Sequence, residues 1–203
     1  MPSVYDVKPR FQALLRPMVR RMAAVGITAN QVTVVAMLVS VAVGVAVGLG
    51  AGERRWLFGL LPLWLFLRMA LNAIDGMLAR EHGQASKLGA VLNELGDVVA
   101  DAGLYLPLAL TSIFALWPLA LFVLLAVLTE MTGVVGVQIG AARRYDGPMG
   151  KSDRALVFGV LGLALAVGAP AGAWIGWLVW LLAALCALTV FNRARKALRE
   201  LRA

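Results

Sequence analysis

The sequence predicts an all-α membrane protein with six transmembrane helices and an N-terminal amphipathic helix in the cytoplasmic interface. Three observations carry that prediction. The 203 residues are 61% hydrophobic with a mean hydropathy of +0.83. Apolar runs of near-spanning length recur along the chain, and about 20 apolar residues cross the roughly 30 Å hydrocarbon core as a helix. The basic residues gather in alternate loops.

The elements follow in order. Residues 1–27 hold Phe11, Leu14, Leu15, Met18 and Met22 on roughly one helical face, with Lys8, Arg10, Arg16, Arg20 and Arg21 mostly elsewhere. That pattern fits a helix lying in the membrane interface. It does not fit a cleaved signal, because no compact apolar core precedes an Ala-x-Ala site. Thr28 ahead of an apolar run reads as a helix N-cap. Spans are expected at 30–50, 56–80, 88–112, 117–140, 155–169 and 172–191, the fifth short and closed by the turn signal Gly168-Ala169-Pro170. Residues 192–203 form a basic amphipathic tail, expected to be a solvated anchor. The whole chain is expected to be one domain.

The 19 Lys and Arg against 11 Asp and Glu give a net charge of +8. Most of the basic residues lie before the first span, in the 80–87 turn, in the 141–154 loop and in the tail. The positive-inside rule then puts both termini in the cytoplasm, where basic residues also meet anionic lipid. No aromatic interleaving or soluble fold supports nucleic-acid binding. Cys186, the single cysteine, excludes an internal disulfide and reads as a small hydrophobe. The tryptophans, mostly near span ends, read as interfacial belting. His82 reads as a loop residue.

Between the second and third spans the chain changes character. Asn72 and Asp75 share a helix face, and Asn93, Asp97 and Asp101 form a second stripe at four-residue spacing. The intervening turn, with Arg80, Glu81, His82, Gly83 and Lys87, lets the two helices run antiparallel with these faces opposed. Carboxylates near lipid are costly unless a cation or a wet site accompanies them. An all-oxygen donor set suits Mg²⁺ or Mn²⁺ rather than zinc. The glycines and alanines around the stripes serve close helix packing or leave room for a ligand.

Asn72-x-x-Asp75-Gly76-x-x-Ala79-Arg80, eight residues, then Gly89-x-x-x-Asn93-x-x-x-Asp97 resembles the signature D-x-x-D-G-x-x-A-R…G-x-x-x-D-x-x-x-D of the CDP-alcohol phosphatidyltransferases. "ITANQVT" stands where that family often has I-T-P-N-x-x-T, and "RRYDGPMGKSDR" is similar to its basic loop between spans four and five. Glu130 stands where many members carry an Arg-Glu pair, with Thr129 replacing the arginine. The resemblance implies attack of an alcohol on the phosphatidyl phosphorus of CDP-diacylglycerol, releasing CMP, at a cytoplasmic site in a multi-pass protein, as in a bacterial inner membrane. It implies Asp97 as base, with Asn72, Asp75, Asn93 and Asp97 as metal ligands. Asn30, Thr33, Asp75, Gly76, Ala79, Arg80 and Gly89 would line the nucleotide-lipid pocket. Arg143, Arg144, Lys151 and Arg154 would meet the acceptor, anionic if these four cations face it together, for example a phosphorylated alcohol. A homodimer is common in the family.

Two positions depart from the signature. Asn72 and Asn93 replace aspartates, leaving Asp75 and Asp97 with a formal −2 where four carboxylates would balance two divalent ions. One ion, or two with the substrate diphosphate supplying charge, are both open, and Asp101 is a candidate to compensate. Arg68, one turn before Asn72, is expected to pair with Glu130 or with the polar cluster. A catalytically silent nucleotide-lipid-binding protein is the rival reading, and a small transporter, which would show broken helices and an inverted repeat, a weaker one.

Overall fold

A computed structural model describes the backbone of residues 4–202 and the side chains of residues 10–202. Among the described residues there are helices and no strands. Helix α1 spans Val4–Ala24, α2 Ala29–Gly50, α3 Leu60–Glu81 and α4 Lys87–Tyr105. Then follow α5 over Leu116–Gln138, α6 over Lys151–Ala166 and α7 over Ala173–Glu200. Short 3₁₀ turns at Arg55–Gly59 and Leu106–Leu110 precede α3 and follow α4.

Helix ends obey local chemistry. Thr28 caps α2 through a reciprocal pair: its hydroxyl accepts from Gln31 N at 3.2 Å, and Gln31 Oε1 accepts from Thr28 N at 2.9 Å. The α3–α4 turn places Gly83 at φ +66°, a left-handed conformation that favours glycine just past a helix end. Gln84 in that turn bonds Ala29 N and Ile27 O, tying it to the start of α2. Ser86 caps α4 by accepting from Gly89 N at 2.9 Å. The third expected span, 88–112, stays α-helical only to Tyr105, because Pro107 has no N–H to donate and the chain tightens to a 3₁₀ turn. Helix α6 starts at Lys151, four residues before its expected span, where Asp153 accepts from Gly150 N at 2.9 Å.

The six helices after α1 alternate in direction. Phe58 and Phe114, from the connections α2–α3 and α4–α5, approach at one end with ring centroids 6.4 Å apart. Gly59 of the same connection faces Ala166, the last residue of α6. The core between them is aromatic: Tyr105, Phe122 and Phe158 have centroids 4.4–5.8 Å apart. Gly44 and Gly103 let α2 and α4 touch, since a Cβ on Gly44 would run into the Gly103 carbonyl. Buried Trp64 donates to Ser40 Oγ at 2.9 Å and locks α3 to α2.

Four segments are long and apolar enough to cross a membrane: Ala29–Gly50, Arg55–Glu81, Leu116–Gln138 and Ala173–Glu200. The other two expected spans differ for physical reasons. Helix α4 carries Lys87, Glu94, Asp97 and Asp101, and α6, with 16 residues, is about 24 Å long.

Both terminal segments pack in part onto the bundle. In α1, Leu15, Val19 and Met22 pack against α2 and α3, and Phe11 meets Phe66 edge-on at 6.5 Å. Leu14 and Met18 of the expected apolar face remain exposed. The tail continues α7 unbroken to Glu200 and is mostly exposed, with one buried stripe through Thr189, Arg193 and Ala197.

Candidate active site

The end of the bundle opposite the Phe58–Phe114 contact is polar. The C-terminal half of α3 brings Asn72, Asp75, Gly76, Ala79 and Arg80, and the N-terminal half of α4 brings Gly89, Asn93, Glu94 and Asp97. Two adjoining cavities open there, sharing Asn93 and Glu94.

The first, about 320 Å³, lies among α2, α3 and α4. Its lining contains Asn30, Thr33, Asp75, Gly76, Ala79, Arg80 and Gly89, the full set expected for a nucleotide-lipid. Buried Asp75 accepts from Thr33 Oγ1 at 2.8 Å, and Thr33 also bonds Ala29 O, so the hydroxyl fixes the carboxylate against α2. Gly76 leaves room for the Arg80 guanidinium, 2.9 Å from where a Cβ would stand. Gly89 leaves the same clearance for the Asn30 side-chain oxygen, 2.8 Å away.

The second cavity, about 300 Å³, is bounded by Asn93, Glu94 and Asp97 of α4, Glu130 of α5, the chain around Lys151, and Arg193 of α7. Asp97 Oδ2 lies 2.5 Å from Lys151 Nζ, and its Oδ1 lies 3.3 Å from Arg68. Arg143 reaches Glu94 at 2.6 Å and the Glu130 carbonyl at 3.0 Å. Arg193 donates to the carbonyls of Thr129, Tyr145 and Asp146 at 2.6, 3.2 and 3.0 Å, and lies 3.6 Å from Glu130.

The loop carrying Arg143 and Lys151 is strapped to α7. Met149 N donates to Thr189 Oγ1, and Arg144 pairs with Glu200. Lys196 lies 2.6 Å from Asp146 and, by hydrogen bonding, holds that carboxyl below its usual range.

Not every expected residue reaches a cavity. Arg144 faces the end of α7 and lines neither. Arg154 is 1% exposed and clamps Asp101 at 2.9 and 3.0 Å and Glu130 at 3.0 Å. Arg68 takes the other oxygen of Asp101 at 2.5 Å, so it joins the polar cluster rather than Glu130. Asp101 is therefore occupied by two guanidiniums and is not free to compensate for Asn72 or Asn93. Asn72 is half-buried and lines neither cavity.

The sequence reading passed over Glu94 and Arg193. Glu94 shares a helix face with Asp97 and Ala90 at three- and four-residue spacing, which was the available signal. Arg193 continues the four-residue spacing of Thr189 and Ala197, a signal masked by its basic neighbours.

The donor set limits what metal the site takes. Among the described residues no three His, Cys, Asp or Glu side chains stand together as ligands. Asp75 and Asp97 supply a formal −2, and both oxygens of Asp97 already face cations. On their own these two carboxylates balance one divalent ion, with Asp75, Asp97 and the Asn93 carbonyl oxygen as hard donors, and a second ion would need its charge from the substrate diphosphate.

Comparison with known proteins supplies the family. A model of the CDP-alcohol phosphatidyltransferases matches residues 26–189. The chain belongs to this family. It is 44% identical over 196 residues to the inner membrane protein YnbA of Escherichia coli K12, covering 97% of this chain and 96% of that protein. It is 30% identical to the archaetidylinositol phosphate synthase of Pyrococcus horikoshii over 104 residues, about half of each chain. Among solved structures it is similar to the phosphatidylinositol phosphate synthase of Mycobacterium tuberculosis with CDP-DAG bound. The TM-score is 0.74 at 20% identity, covering 89% of this chain and 92% of that one. The same enzyme in complex with manganese and citrate gives a TM-score of 0.71 at 21% identity, covering 89% and 87%. Both likenesses concern the fold.

Proposed function

We propose that this chain is a phospholipid-synthesis enzyme that transfers a phosphatidyl group from CDP-diacylglycerol to an alcohol, releasing CMP, in a bacterial inner membrane with the site cytoplasmic. The observation that carries the reading is the pair of adjoining cavities that share Asn93 and Glu94. One holds Asp75 and the glycine-lined space for a nucleotide, and the other holds Asp97 and Lys151 for an acceptor.

In this reading Asn30, Thr33, Asp75, Gly76, Ala79, Arg80 and Gly89 hold the CDP-lipid. Arg143 and Lys151 stand on the acceptor side. Arg144 and Arg154 support the loop and the helices instead. Asp97 accepts the proton of the attacking hydroxyl. The new bond forms from that oxygen to the phosphatidyl phosphorus, the bond from phosphorus to the CMP oxygen breaks, and CMP leaves with the electron pair. Once Asp97 is protonated its attraction for Lys151 falls, and the ammonium is free to meet the negative charge on the leaving phosphate. Asp75, Asn93 and Asp97, which line the two cavities, would hold a divalent ion, and such an ion would supply charge against the diphosphate.

Purified protein in liposomes, given CDP-diacylglycerol, Mg²⁺ or Mn²⁺ and a panel of alcohols, tests this. CMP release is expected, and Asp97→Asn is expected to cut it about 10²–10⁴-fold, the usual worth of a positioned base. No release with any alcohol would sink the enzyme and leave a silent lipid-binding protein, which the two asparagines also fit.

A further inference from the structure

The second cavity is not an anion site in its charge. Its lining holds four carboxylates, Glu94, Asp97, Glu130 and Asp153, against three cations, Arg143, Lys151 and Arg193, and Arg68 on Asp97 and Arg154 on Glu130, which share Asp101, bring the connected cluster to formal neutrality. Each cation already has a carboxylate beside it: Lys151 has Asp97, Arg143 has Glu94, and Arg193 has Glu130. The guanidinium of Arg193 is further spent on three main-chain carbonyls. Among the described residues Asp153 has no cation partner, and it accepts from the Gly150 N–H. One divalent ion and the diphosphate of a CDP-lipid bring opposite formal charges that cancel, so the balance of the lining stands when both are present.

We propose that the acceptor bound in this cavity is an alcohol that carries no phosphate, either a neutral polyol or an amino alcohol. The inference rests on the transferase reading above and names its second substrate. A phosphate dianion entering here finds every lining cation already paired and must break existing ion pairs before it gains its own. A hydroxyl or ammonium group meets acceptors already in place. The Glu94 carboxylate is 36% exposed at the border of the two cavities, and Ser152 and Asp153 also line the second.

Glu94 is the residue that sets this preference. It occupies Arg143, and it is the most exposed of the cavity's ion-paired acids, with side chains 36%, 19% and 12% exposed for Glu94, Asp97 and Glu130. Replacing it with glutamine removes one negative charge and loosens the hold on the Arg143 guanidinium, which leaves one positive charge in excess and gives a phosphate a partner.

The test uses the full-length protein in liposomes with CDP-diacylglycerol and Mg²⁺ or Mn²⁺. Acceptors come as matched pairs: glycerol and glycerol 3-phosphate, inositol and inositol 1-phosphate, serine and phosphoserine. In whichever pair reacts, kcat/KM for CMP release is expected to favour the unphosphorylated member by about tenfold or more. Glu94→Gln is expected to narrow or reverse that ratio. Equal or better use of the phosphorylated member by the wild type overturns the proposal. Thermal unfolding with each acceptor, in the presence of CDP-diacylglycerol, gives a readout independent of turnover. Stabilisation by an unphosphorylated alcohol supports the proposal, and stabilisation by its phosphorylated partner alone, or by neither member of any pair, overturns it. Absence of CMP release alongside stabilisation by an unphosphorylated alcohol would sink the transferase reading and leave the acceptor class standing.

Discussion

Asn72 and Asn93 occupy positions where the family signature has carboxylates, and each exchange removes one unit of charge while keeping a carbonyl oxygen. Beside them, Asp97 is braced by Lys151 and Arg68 rather than standing open. Fixed cations therefore occupy part of the electrostatic space that extra metal charge would fill. We expect one divalent ion per chain in the wild type and a second on restoring both acids with Asn72→Asp and Asn93→Asp. Mn²⁺ content after equilibrium dialysis, measured per mole of protein, checks this, and two ions in the wild type would refute it. At this scale the sequence was informative wherever spacing alone brings side chains together. Asp75 and Gly76 belong to one helical turn, and Asp97 lies one turn beyond Asn93. Partners from distant segments were not legible: nothing local says that Arg68 reaches Asp101 rather than Glu130, or that Arg154 turns inward instead of toward a substrate.

Helices α4, α5 and α6 meet at one buried set of charges. Arg154 of α6 joins Asp101 of α4 to Glu130 of α5, and Arg68 of α3 completes the neutralisation of Asp101. Removing one member of such a set strands a charge, which is costlier than deleting the whole set. Arg154→Met is expected to destabilise the protein by about 3–5 kcal/mol, read as a lower midpoint in thermal unfolding in detergent. Adding Asp101→Leu and Arg68→Met to it should recover part of the loss. A triple variant no more stable than the single one would show that the set contributes by more than charge balance. The helix ends that sequence foresaw, at Thr28 and Gly83, depend on neighbours within a few residues. Those it misplaced, at Tyr105 and Lys151, depend on how Pro107 and Asp153 act on the helix ends, and the inward face of the tail depends on Arg193 finding carbonyls in a distant loop.

The direction of the whole bundle follows from which ends carry which chemistry. Helices α3, α5 and α7 end, and α2, α4 and α6 begin, at the polar site, so the connections near Glu53, Phe114 and Ala169 share the opposite end. Among the described residues four segments are apolar enough to cross by composition. Helix α4 with its 3₁₀ extension nevertheless runs over Lys87–Leu110, from the polar site to the Phe114 end. Its acids face neutralising arginines and a lysine rather than lipid, which lowers the cost that composition alone would assign. Helix α6 lies against α3, where its buried Gly159 and Gly162 face Pro62 and Leu61, and at its charged start Lys151 meets Asp97 and Arg154 meets Asp101 and Glu130. We therefore expect six crossings with both termini and the site cytoplasmic. With Cys186→Ser as background, Glu53→Cys should react with a membrane-impermeant maleimide in intact cells, and Ala142→Cys only after permeabilisation. The alternative of four crossings, with α4 and α6 failing to traverse, would move the α5–α6 loop to the outer face. Labelling of Ala142→Cys in intact cells would establish that arrangement and, by separating Lys151 from a cytoplasmic nucleotide, would remove the site with it.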